Sequence, residues 1–175
     1  YTTDGSTPTA KHGTISSFGR FSVKESKVYR FVLVADDKLP SPVVTRTFIK
    51  DEHGLELPIL SISTHPDNLF NDSIGVYTKG TNGVSGNGQS DACNWNMDWE
   101  RPVNFEYINA EGEMVVNMEA NMEMCGGWSR AWTPHSFKIK ANKIYEGENY
   151  LPYQISLQFL KVHVLFFQLP LSLPF

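Results

Sequence analysis

The stretch Met114–Met124, MVVNMEANMEM, sets the tightest constraint on what this chain can fold into. Met114, Val116, Met118, Ala120, Met122 and Met124 fall on one side of a period-2 repeat, with Asn117, Glu119, Asn121 and Glu123 on the other. Side chains of a strand alternate between faces, so this alternation describes a half-buried strand with one apolar and one acidic surface. Just upstream, Val103, Phe105 and Tyr107 alternate with Asn104, Glu106 and Ile108, and Asn109-Ala110-Glu111-Gly112 supplies a turn. The methionine row fits core packing, for which flexible thioethers are well suited, better than it fits a soft-metal site.

The rest of the chain reads the same way. VYRFVLVA (28–35) and VVTRTFI (43–49) are rich in β-branched and aromatic residues and form an expected antiparallel hairpin. LPILSIST (57–64), IGVYTKG (74–80) and SFKIKA (136–141) are expected as further short strands. HPDNLFN (65–71) is the best candidate for one helical turn, with Pro66 suited to the first helical position. The segment 80–91, GTNGVSGNGQSD, has four glycines and no apolar period, and reads as a surface loop. A phosphate cradle would need a helix to follow it, and none is indicated. The chain opens on YTTDGSTPT, where Asp4-Gly5 carries tight-turn chemistry and Pro8 stops regular pairing. Tyr1 to Thr3 read as the end of a strand, so the chain is expected to begin part-way through a domain.

Charge divides the chain. Residues 1–57 hold eight basic and seven acidic side chains, whereas residues 58–150 hold six basic and twelve acidic. A formal net charge of −4 offers no footprint for nucleic acid. The apolar segment 155–175 is interrupted by Gln158, Lys161, His163 and Gln168, which leaves no span long enough for a transmembrane helix. It reads either as a buried strand or as a tail foreign to the fold. Cys93 and Cys125 lie outside any CxxC pair and the five histidines are scattered, so zinc-ligand spacing is absent and no metal ligand is expected. The two cysteines can pair in an oxidising compartment or remain free.

Two family resemblances emerge from these residues. YTTDGSTPT, with VYRFVLVADDKLPSPVVTRTFI downstream, is similar to the small β-sandwich domain at the C-terminus of chitobiases and β-hexosaminidases. LPILSISTHPDNLFNDSIGVYTKG (57–80), WERPVNFEYINAEG (99–112) and CGGWSRAWTPHSFKIKANKIYEGENY (125–150) resemble the CotH-type spore-coat kinase family. Together they imply a mainly β chain: an incomplete immunoglobulin-like sandwich over 1–50, then the antiparallel, β-rich N-terminal portion of a CotH-like kinase domain over 57–153. Residues 51–56 would be a linker and 154–175 an atypical tail.

The kinase resemblance implies ATP, Mg²⁺ or Mn²⁺ and a protein substrate for the whole parent, in a secreted, periplasmic or cell-surface bacterial setting. The family's catalytic aspartates have no counterpart in a matching motif here, so no catalytic residue is carried over and the chain alone is expected to be inactive. Ser129, Arg130 and Lys138 are the candidate contacts to a nucleotide phosphate, beside Gly126-Gly127. The alternative is that Arg130 pairs with Glu119 or Glu123 and Lys138 is solvated. His135 stands where the family usually has Lys or Gln. A reading from another class rests on Trp95, Trp99, Trp128 and Trp132, whose indole faces suit a glycan-binding or structural accessory module.

Overall fold

The computed structural model describes residues 1–16, 20, 22–50 and 57–141, and the backbone of 163–165. The expected linker at 51–56 lies outside the described residues, as does most of the tail. The described chain is mainly β. Its strands are β1 (Lys27–Phe31), β2 (Val44–Phe48), β3 (Ile59–Ser63), β4 (Val84–Gly86), β5 (Gln89–Cys93), β6 (Arg101–Ile108), β7 (Met114–Met124), β8 (Phe137–Ala141) and β9 (His163–Leu165). β1 and β2 make one sheet, β4 and β5 another, and a five-stranded sheet runs in the order β8-β7-β6-β3-β9. The β3–β9 pair is parallel, while β1–β2, β3–β6, β4–β5 and β7–β8 are antiparallel.

Two compact units can be separated, and neither is a single stretch of sequence. The first takes in Tyr1–Ser63 and Asn104–Asn117; the second takes in Thr64–Val103 and, of the described residues, 118–141. Strands β6 and β7 therefore contribute to both.

In the first unit, the expected turn at the start is present. Gly5 has φ 77° and the Ser6 amide donates to Asp4 Oδ1 at 3.0 Å. Thr2 bridges Arg30, so the opening residues line β1. The β1–β2 hairpin pairs Lys27 with Phe48 and Phe31 with Val44, and Tyr1, Tyr29, Phe31 and Phe48 form an aromatic cluster on it. The buried positions of β2 are Thr45 and Thr47, so that face is polar. Opposite lies the main departure from the alternation expected in β6. Asn104 and Glu106 are not on a solvated acidic face: both are buried, Glu106 completely at 0 % exposure. Burial is possible because the carboxyl oxygens are met by donors. The Thr47 amide donates to Oε1 at 3.2 Å, the Thr47 hydroxyl donates to Oε2, and the Asn117 amide donates to Oε1 at 3.1 Å. Ser61 Oγ lies 2.7 Å from the Thr47 hydroxyl, and Asn117 also donates to the Thr45 carbonyl at 2.9 Å.

In the second unit, α1 (Pro66–Phe70) starts where Pro66 was expected to start it, with His65 Nδ1 accepting the Asp67 amide at 3.2 Å. The strand expected over 74–80 is not formed. Its donors close the end of α1 instead: Gly75 bonds the Asn71 carbonyl at 2.7 Å, Val76 the Asn68 carbonyl and Tyr77 the Leu69 carbonyl, both at 2.9 Å. Val76 is apolar and buried without being in a sheet. The segment 80–91 also departs from a plain loop. It contains the β4–β5 hairpin, turning at Asn87 (φ 51°) and Gly88 (φ 80°), the two left-handed residues that a tight hairpin turn requires. The fully buried Asn94 ties the neighbouring loops together. Its amide donates to the Asp72 and Gly75 carbonyls and its oxygen accepts from the Asn82 amide. In β7 the buried side chains include Met118, Ala120, Met122 and Met124, and Met122 pairs with Ile139 of β8. Across from them, Lys140 bridges Glu100 at 2.7 Å and Glu123 at 2.6 Å, with Glu100 also accepting from Asn121.

Candidate functional site

The polar and aromatic side chains of interest converge in the second unit around a 3-10 turn, Trp128–Ala131, between β7 and β8. Arg130 fixes this turn. Its Nε donates to the Gly126 carbonyl at 2.8 Å, Nη1 donates to the Trp95 carbonyl at 3.2 Å, and the guanidinium pairs with Asp98 at 3.4 Å. The partner of Arg130 is thus Asp98 rather than a carboxylate of β7. Lys138, by contrast, is 60 % exposed and pairs with Glu123 of β7 at 3.4 Å.

Fixing the turn leaves its two tryptophans outward: Trp128 is 63 % exposed and Trp132 66 %. Trp128 lies over the β4–β5 turn, where a Cβ on Gly88 would stand 1.9 Å from the indole Nε1, so only glycine admits the ring there. Trp95 is half-buried, and its Nε1 donates to Gln89 Oε1 at 2.9 Å. Trp99 sits apart from this group, with the Arg101 guanidinium 4.9 Å from its ring centre. The structure therefore gathers Ser129, Arg130, Trp95, Trp128 and Trp132 around one turn, and leaves Trp99 and Lys138 elsewhere in the unit.

His135, in sequence only a departure from a family pattern, is the least expected member of the group. It is 8 % exposed, packed edge-on to Tyr77 at 4.5 Å between ring centres and tilted against Trp95 at 5.1 Å. Tyr77 in turn stacks on Phe137 at 5.7 Å. Burial pushes the imidazole below its ordinary value of 6.5, against the opposing effect of hydrogen bonds to the backbone of Arg130 and Trp132. The ring's Nδ1 is buried without a partner, and so is the amide nitrogen of Gln89. Both residues adjoin the Trp95 indole. Nothing in the unpatterned 80–91 segment singles out Gln89; the Asn-Gly pair at 87–88 is the one signal there for the hairpin that presents it.

Cys93 and Cys125 are both free thiols, and burial pushes the Cys93 thiol up. Among the described residues no three His, Cys, Asp or Glu side chains gather as a group that could hold a metal ion. No helix among them is long and apolar enough to cross a membrane. Compared with protein-family models, with curated proteins and with solved structures, the chain matches none.

Proposed function

We propose that the chain forms the β-rich part of a CotH-like, ATP-using protein kinase and transfers no phosphate by itself. The observation that carries this reading is where its three sequence blocks fall. Residues 57–80 run through β3 and α1, residues 99–112 contain β6 and its turn, and the third block opens on the 3-10 turn and enters β8. Each block is an element or the connection that aims one, rather than interchangeable surface. Phosphoryl transfer needs carboxylates to hold metal at the phosphates. ATP, Mg²⁺ or Mn²⁺ and a protein substrate belong to the whole kinase in this reading, in a secreted or cell-surface setting. With the Arg130 fork occupied, Ser129 and Lys138 are the candidates left to meet a phosphate. The test is γ-labelled ATP with either metal and casein as acceptor, beside calorimetry. No label should reach casein or the chain, and incorporation would overturn the reading. Saturable ATP binding that Lys138→Ala abolishes would strengthen the nucleotide part.

A second reading is favoured by the exposure of Trp128 and Trp132 on a pinned turn. Two outward indoles held on a rigid backbone suit stacking against sugar rings. Under this reading the chain is a glycan-binding accessory module, and indole fluorescence should respond to oligosaccharides.

A further inference from the structure

We propose that Gln89 and His135 are the polar contacts of a carbohydrate site built on Trp95 and Trp128, the amide donating to one sugar hydroxyl and the imidazole accepting from another. The inference rests on the glycan reading and gives it a polar recognition step. Most buried polar atoms in a folded protein find a partner, so each one left over asks for an explanation. Here two are left over beside one indole: a donor, the Gln89 amide nitrogen, and an acceptor, His135 Nδ1. Gln89 already uses its other polar atom. Gln89 Oε1 takes the Trp95 N–H at 2.9 Å. That commitment fixes the direction of the unused donor, and in the proposed site the unused ring nitrogen of His135 is the acceptor.

The ligand chemistry follows from the combination. A donor and an acceptor among aromatic faces match a molecule that carries apolar ring faces and a rim of hydroxyls, each hydroxyl able both to give and to take a hydrogen bond. A pyranose has this form, and ligand sites commonly combine aromatic walls with a few placed polar groups. Trp128 lies over Gly88, next in sequence to Gln89, where a ring entering toward the amide would stack on it.

The experiment titrates the full chain with chitotetraose, cellotetraose and xylotetraose, and with ATP, following indole fluorescence and heat. At least one saccharide should bind, and Gln89→Leu and His135→Phe should each weaken it at least tenfold, with thermal melts confirming that each variant is folded. Gln89→Leu keeps the test open should His135→Phe fail to fold. Saccharide binding that folded Gln89→Leu leaves unchanged would overturn this inference while the stacking reading stands. Absence of saccharide binding overturns both. Binding of ATP alone assigns the rings to a nucleotide and equally overturns the carbohydrate assignment.

Discussion

Glu106 and His135 are shut away from solvent in different units, and their surroundings treat them in opposite ways. Around Glu106 both carboxyl oxygens receive donors, from the Thr47 backbone, the Thr47 hydroxyl and the Asn117 amide. Around His135 the buried Nδ1 has no partner. Buried polarity that is matched within the chain holds a fold together. Buried polarity left unmatched costs stability, and a bound partner can offset that cost. Glu106 therefore serves the fold and His135 is the residue free for the proposed ligand contact, although by residue type the carboxylate would be the first suspect for chemistry.

The sharpest way to break the comparison is Glu106→Ala. It leaves three donors facing a cavity, and we expect a loss of about 3 kcal/mol or more in urea unfolding; a loss below about 1 kcal/mol would mean the cluster is not structural. Thr47→Val keeps the shape and the backbone donor but removes the hydroxyl. A smaller loss of about 1–2 kcal/mol should appear by the same measurement. At His135 the sign concerns pH. Its folded value lies below the ordinary 6.5, so the unfolded chain takes up a proton first. The stability tied to this residue is complete above about 6.5 and is lost as pH falls from there through the lowered value. Melts of His135→Gln should show a shallower decline than the parent between about pH 7 and pH 5; equal slopes would place the acid sensitivity elsewhere. The smallest effect is expected from Asp98→Asn. Asp98 is exposed and its ion pair is screened, so thermal melts should shift by no more than about 0.5 kcal/mol in equivalent stability. A larger loss would show that the carboxylate, and not the two backbone carbonyls, holds Arg130 and the turn.

Where a local pattern decided the structure, the sequence was readable. Strand β7 spans the eleven residues of the methionine alternation, and α1 begins at the proline suited to begin it. The β1–β2 hairpin and β8 fell within a few residues of their apolar runs. What escaped was decided at a distance. IGVYTKG has the β-branched and aromatic composition of a strand, yet its amides are taken by carbonyls at the end of α1, and a propensity has no view of that competition. Glu106 sits at a position that alternation alone assigns to solvent. The polar face of β2, fifty-nine residues earlier, and Asn117 of β7 make its burial tolerable. At the candidate site the tryptophans stood out as residue types, but their division into an outward pair, a half-buried Trp95 and a separate Trp99 depends on how the 3-10 turn is pinned. His135 and Gln89 are ordinary residues in sequence, and their unmatched atoms exist only in the folded arrangement.

The separation between Thr47 and Glu106 has a consequence for how the protein is made. Thr47 leaves the ribosome fifty-nine residues ahead of the carboxylate it will bind. At roughly 5–20 residues per second, that is a wait of about 3 to 12 seconds. During it, the face of the nascent β1–β2 hairpin that will close over Glu106 presents threonines to water. A valine-lined face would spend those seconds as a sticky surface, whereas the Thr47 hydroxyl can be solvated until Glu106 is synthesised.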